Sequence, residues 1–64
     1  MLVIGYRSPV DWAKVRASFK KCTSMTAQDI EKIIKMIKSG QSCNLDNDFI
    51  LEGELRDLNI LIQS

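Results

Sequence analysis

Two pairs of acidic residues stand at helical spacing and are the first places to look for chemistry. Asp48 and Glu52 lie four residues apart, and Glu54 and Asp57 lie three apart. Two carboxylates on one helix face can share a proton or hold a metal ion. The chain has no histidine, however, so the usual general base near neutral pH is missing. A solvated acidic face opposite lysines is the favoured interpretation, and we predict that the protein is not an enzyme.

A calcium loop is a second candidate site. Asn44, Asp46 and Asp48 supply oxygen atoms at the first, third and fifth positions of such a loop. The sixth position needs glycine and the twelfth needs a bidentate acid, but the chain has Phe49 and Leu55 there. Because the match fails at both diagnostic positions, we predict no metal and no cofactor.

The two cysteines, Cys22 and Cys43, are too few for a disulfide scaffold. Without histidine they also cannot complete a zinc site. The predicted helices place them roughly 20 Å apart at 1.5 Å per residue, whereas a disulfide needs Cα atoms within about 7 Å. The apolar start of the chain, residues 1–4, is too short for the core of a signal peptide. We therefore expect reduced thiols and a cytoplasmic location.

Charge is divided unevenly along the chain. Residues 1–40 carry eight Lys/Arg against three Asp/Glu, and residues 41–64 carry one against five, although the net charge is only +1. Such a split can be satisfied within the fold, between subunits or by an external partner, and we place the intramolecular alternative first. The candidate face for nucleic acid or an acidic partner consists of the lysines of the first two predicted helices: Lys14, Lys21, Lys32, Lys35 and Lys38.

These charged groups must be positioned by a short N-terminal segment and by helices. Residues 1–7 contain β-branched and aromatic side chains, which are typical of a strand or an extended arm. Their apolar side chains do not alternate with polar ones, which indicates burial on both faces. A loosely packed apolar tail is the alternative.

Two helices are predicted after this segment. Helix 1 is expected over 9–21, with Ser8 as its cap and a proline in its first turn. Helix 2 is expected over 27–39, beginning at the cap Thr26 and ending before Gly40. Its apolar face is formed by isoleucines at helical spacing: Ile30, Ile33, Ile34 and Ile37.

A third helix is predicted over 46–62, with apolar residues on two sides. Leucines and an isoleucine form a stripe on one side, and Phe49 and Ile60 lie on the other. Two neighbouring helices can cover only one of these sides well, so we expect a second copy to cover the other. The candidate self-association face is Phe49, Ile60, Leu51, Leu55, Leu58 and Ile62.

Gly53 complicates the third helix. A glycine inside a helix costs about 1 kcal/mol relative to alanine, or it marks a close backbone contact. The alternative is a strand over 49–51 that turns into a shorter helix from Glu54.

A strand followed by two capped helices also resembles the ribbon-helix-helix repressors over about residues 2–38. In those repressors the paired strands of a dimer enter the major groove of DNA, and polar strand residues read the bases. Leu2, Val3 and Ile4 offer no polar group for that purpose. The resemblance implies nucleic-acid binding only as an alternative function.

Together these patterns predict one small domain, residues 1–64, of mainly α class. It would have three helices and a short N-terminal extended or β segment. A chain this short buries only about 60% of its unfolded surface and often needs oligomerisation, so we predict a homodimer. The expected function is a non-enzymatic protein-interaction module, namely an adaptor, chaperone or regulator. A small nucleic-acid-binding regulator is the alternative, and no membrane partner is expected.

Overall fold

The computed structural model describes residues 1–63, and its strands and helices are mixed along the chain. About half of these residues, 51%, are helical and 17% are in strands. The prediction of a mainly α three-helix domain is therefore wrong, because three segments pair into a sheet. The elements are β1 (Leu2–Tyr6), α1 (Trp12–Cys22), α2 (Ala27–Lys38), β2 (Cys43–Asn44), α3 (Phe49–Asp57) and β3 (Ile60–Gln63).

The strands form an antiparallel sheet with the order β2-β1-β3, so that β1 is central. Val3 lies opposite both Cys43 and Ile62, and all three are buried beneath the helices. On the other face, Ile4 is 44% exposed and Leu61 is 38% exposed. The strand is one of the predicted alternatives for residues 1–7. Burial on both of its faces is wrong, because a two-layer domain covers one side of the sheet.

The first two helices begin at side-chain caps and bury one face each. Asp11 caps α1 by accepting a hydrogen bond from the Lys14 N–H at 3.3 Å. The predicted start at the Ser8 cap is wrong, because the segment before Asp11 is held elsewhere: the Pro9 carbonyl accepts from Asn59 Nδ2 at 2.9 Å. The start of α2 is confirmed, since Thr26 Oγ1 accepts from the N–H of residue 29 at 3.2 Å. Its four isoleucines are all buried.

The third helix is shorter than the predicted span 46–62. It begins at Phe49 and ends at Asp57, and a strand follows it. Asn59 adopts φ 69°, a left-handed conformation that asparagine tolerates better than most residues. Residues 60–63 then alternate between buried and exposed as β3. The alternative of a strand over 49–51 is also wrong, because those residues form the first turn of α3.

The core lies between the helices and the covered face of the sheet. Phe19 of α1 is completely buried at its centre. Every strand and every helix contributes to this single cluster, which joins the two layers. Its members are Val3, Val15, Phe19, Ile30, Ile33, Ile34, Ile37, Cys43, Leu51, Leu55, Ile60 and Ile62.

Candidate functional site

Glu54 forms the polar contact between α3 and α1. Its carboxylate accepts hydrogen bonds from Ser18 Oγ at 3.1 Å and Cys22 Sγ at 3.4 Å, and Lys21 Nζ lies 2.8 Å away. The hydrogen bond from Lys21 is the main reason that the pKa of Glu54 is below its usual range. Partial burial, and then Glu54, raise the pKa of the Cys22 thiol. The ionised carboxylate and protonated thiol therefore hold two helices together and supply neither an acid nor a nucleophile at neutral pH.

The other candidate acids mostly stabilise α3 itself. Asp48 caps this helix, since its Oδ1 accepts from the N–H groups of Ile50 and Leu51, both at 3.0 Å. Glu52 Oε2 lies 3.7 Å from Arg56 Nε, one helical turn further on. Within residues 1–63, no group of three or more His, Cys, Asp or Glu side chains could hold a metal ion.

Both cysteines are free thiols. Cys22 is half-buried at the end of α1, and Cys43 is buried on β2, where it lies opposite Val3. Burial raises the pKa of the Cys43 thiol. Cys43 is therefore a small core residue, as its position in the apolar cluster shows.

The structure divides the predicted basic face between the two sides of the α1–α2 pair. Lys21 faces α3 and pairs with Glu54. This pair joins the basic and acidic parts of the chain, so part of the charge split is balanced within the fold. Lys14 and Asp57 line one groove between α1 and α3 without forming a salt bridge. The remaining three lysines lie on α2, away from α3: Lys32, Lys35 and Lys38.

A different set of charges meets where α1 and α2 lie side by side. Arg16 hydrogen bonds to Glu31 and is the main reason that the pKa of Glu31 is below its usual range, with Lys38 and Lys20 adding to the effect. Lys38 Nζ also lies 5.0 Å from the centre of the Trp12 ring. We call this surface the hairpin face: Trp12, Arg16, Lys20, Glu31 and Lys38.

Sequence reasoning included only Lys38 of the hairpin face. A usable signal was present, because Trp12, Arg16 and Lys20 recur every four residues along α1. Trp12 itself is half-buried. Its ring also meets the Tyr6 ring edge-on, with centroids 5.1 Å apart.

The predicted self-association face is mostly the core of the single chain. Only Phe49 is exposed, and Leu58 is half-buried. The prediction of one two-sided helix is wrong because the last part of the supposed helix is β3, whose isoleucines are buried in the core cluster. The buried members are Leu51, Leu55, Ile60 and Ile62.

Two exposed apolar residues stand beside an open groove at one end of the domain. Phe49 is 93% exposed and Ile50 is 68% exposed in the first turn of α3, and we call this pair the apolar tip. The groove has a volume of about 500 Å³ and lies between the end of α1, the α1–α2 loop and the β2–α3 loop. We call it the acidic groove. Apolar side chains and two carboxylates line it: Phe19, Met25, Leu45, Leu51, Asp46 and Asp48.

Comparison with known proteins found no relative of this chain. No protein-family model, curated protein or solved structure matches the chain. None of the helices within residues 1–63 is long and apolar enough to cross a bilayer. The surfaces described above are therefore the basis for assigning a function.

Proposed function

We propose that this protein is a non-enzymatic interaction module, acting as an adaptor, chaperone or regulator. Its ligand is a protein segment with an apolar anchor and flanking basic residues. The observation that carries the proposal is the exposure of the apolar tip, where Phe49 is 93% exposed beside Ile50. Single exposed apolar residues are ordinary, but aromatic residues are enriched at the centres of protein interfaces.

The acidic groove supports the same ligand chemistry. Asp48 stands on its rim and directly precedes the apolar tip in sequence. A partner side chain that contacts Leu45 and Met25 would lose apolar surface to water, and a neighbouring Lys or Arg would meet Asp46 and Asp48. An acidic partner segment would be repelled at the same place.

The proposal can be tested by capturing partners from the native cell with the tagged protein. Capture is compared between the wild type, Phe49→Ser and a control, Ile4→Ser, which removes an exposed apolar side chain from the sheet instead. We expect that nuclease treatment does not prevent capture of the partner and that Ile4→Ser captures it as well as the wild type does. Phe49→Ser should bind the partner about tenfold or more weakly, as is typical of interface anchors. A purified binder that keeps full affinity for Phe49→Ser contradicts the proposal.

The hairpin face favours a second candidate function, the binding of single-stranded nucleic acid. Arg16, Lys20 and Lys38 lie around Glu31, and Lys38 also lies over the Trp12 ring. Basic side chains around an aromatic ring are the usual components of such sites, because phosphates bind the cations and bases stack on the ring.

Trp12 provides a direct assay for this candidate, because it is the chain's one tryptophan. Single-stranded DNA or RNA added at low salt should quench its fluorescence, and added salt should reverse the effect steeply. Lys20→Ala should weaken the binding, whereas Lys32→Ala, a lysine outside the hairpin face, should change it less. A fluorescence signal that does not respond to oligonucleotide at low salt removes this candidate.

A further inference from the structure

The strand β3 has an open edge. Within residues 1–63 it pairs with β1 on one side and with no strand on the other. The Asn59 carbonyl accepts a hydrogen bond from the Arg7 N–H at 2.9 Å, so the planar peptide directs the Ile60 N–H away from β1. Because the groups of an antiparallel strand alternate in direction, the N–H and C=O of both Ile60 and Ile62 face the open edge.

The strand β3 itself carries no residue of the kinds that keep sheet edges apart. Natural edges are protected by lysine, proline, a bulge or a covering segment. The sequence of β3, Ile-Leu-Ile-Gln, has no charge and no proline, and the register shift of the sheet lies in β1, between Val3 and Gly5. Leu61 is also 38% exposed on the uncovered sheet face. The edge is therefore free to accept another strand.

We propose that a second copy of this chain occupies this edge, with the two β3 strands antiparallel across a two-fold axis at Leu61. Side chains directly opposite each other must lie on the same face of the sheet. A register with Leu61 opposite Leu61 of the second copy, and Ile60 opposite Ile62 of the second copy, satisfies that condition. In this register the outward N–H and C=O groups of Ile60 and Ile62 bond each other across the axis.

Charges beside the edge are complementary to themselves under this symmetry. Arg56 lines an open groove together with residues 59–62, Ile4 and Arg7, and Glu52 stands one helical turn before Arg56 on α3. Only Leu58 and Asn59 join α3 to β3, and the two elements are in contact. The chain therefore turns back on itself there, which puts Arg56 toward the Ile60 end of the strand and Glu52 toward the Gln63 end. The two-fold axis brings Arg56 of each copy toward Glu52 of the other.

The dimer goes beyond the proposed function and uses different residues. The acidic groove and the apolar tip are lined by loops and by the start of α3, whereas the dimer uses β3. A strand of four residues forms a small interface, so we expect a reversible dimer whose population rises with concentration.

Two measurements on the unmodified chain test the dimer. Sedimentation equilibrium should show the mass rising from 7.3 kDa toward twice that value as concentration increases. Over the same range, hydrogen exchange at the amides of Ile60 and Ile62 should slow in proportion to the dimer fraction, whereas the amide of Leu61, which faces β1, should not respond. A monomer at all concentrations overturns the proposal, as does a dimer whose Ile60 and Ile62 amides exchange at the monomer rate.

A synthetic chain separates edge pairing from other kinds of association. N-methylation of the Ile62 amide removes one outward donor and keeps the side chain, so it should abolish the dimer while the circular dichroism spectrum stays unchanged. Ile4→Lys places a charge on the uncovered sheet face away from the edge, and it should leave the dimer intact. If the Ile4→Lys chain is monomeric and the chain N-methylated at Ile62 is still dimeric, the two copies associate through their uncovered sheet faces and not through the β3 edges. If the N-methylated chain does not fold, the amide exchange of the unmodified chain by itself decides whether the dimer forms through the β3 edges.

Loss of the dimer and loss of the assigned function are distinguishable. Phe49→Ser should weaken partner binding without changing the concentration dependence of the mass, and N-methylation of Ile62 should abolish the dimer without weakening partner binding. Arg56→Glu should weaken the dimer because it places a glutamate opposite Glu52 of the second copy. The double substitution of Glu52→Arg and Arg56→Glu should restore the dimer. Equal dimerisation of all these charge variants contradicts the register.

Discussion

The same substitution, glycine to alanine, should have opposite effects at two positions. Gly53 lies inside α3, and a Cβ built on it meets no atom within 4 Å. Alanine is about 1 kcal/mol more favourable than glycine in a helix interior, chiefly because it loses less backbone entropy on folding. Since nothing in the fold opposes this gain, we expect Gly53→Ala to raise the free energy of unfolding by about 1 kcal/mol.

Gly40 is the matched position, where backbone conformation alone decides the result. It follows the C-cap of α2 with φ 83°, and a Cβ there also meets nothing within 4 Å. A left-handed conformation costs an L-residue about 1–2 kcal/mol, and the lower entropy of the unfolded alanine chain offsets about 0.4–1 kcal/mol of that. Gly40→Ala should therefore lower the free energy of unfolding by about 1 kcal/mol.

Thermal and urea unfolding followed by circular dichroism can measure both changes. For a domain of this size, 1 kcal/mol corresponds to a Tm shift of about 4–8 °C. The urea dependence of the free energy should be unchanged, because neither alanine alters the surface exposed on unfolding. Low protein concentration keeps self-association from contributing. A lower Tm for Gly53→Ala would refute the reasoning, because it would mean that another backbone approaches α3 there.

Two further predictions concern polar contacts. Asp48→Ala should lower the free energy of unfolding by about 1 kcal/mol because the first amides of α3 lose their acceptor. Asp48→Asn keeps a side-chain oxygen at the cap and should therefore keep most of this stability. Equal urea midpoints for the two variants would contradict the prediction. Glu54 and Glu31 have pKa values below the usual range, so the unfolded chain binds more protons than the folded one from about pH 4.3 down to the folded-state pKa values. Their stabilisation is complete above that pH and is lost as the pH falls through the folded-state values. Urea midpoints between about pH 6 and 3 should show this loss, and Glu54→Gln should reduce it; an unchanged slope in that variant would refute the assignment.

The elements predicted well from sequence are those with local signals. The second helix was predicted almost to the residue, because Thr26 and Gly40 act on backbone groups within a few residues of themselves. The end of the third helix was predicted wrongly. Ile62 continues the helical spacing of the preceding leucines and equally fits the alternation of a strand. Pairing with β1, more than fifty residues earlier, decides between the two.

The candidate surfaces also divide into features with a local sequence signal and features that depend on contacts between distant residues. Phe49 was expected on the less covered side of its helix, and it is exposed. Trp12 and Arg16 were not expected on one surface with Glu31, because that surface forms only when α1 and α2 lie side by side. The open edge of β3 could not be predicted at all, since the strand itself was read as helix.

Composition and local pattern by themselves determine that the chain has two capped N-terminal helices, two cysteines, no histidine and an uneven distribution of charge. These properties depend on residue types or on contacts within one or two turns. Only the tertiary structure decides that Ile60–Gln63 is a strand, that Lys21 meets Glu54, and that Phe49 remains uncovered. Each of these depends on contacts between distant parts of the chain, whose closure entropy is repaid only when the whole core forms.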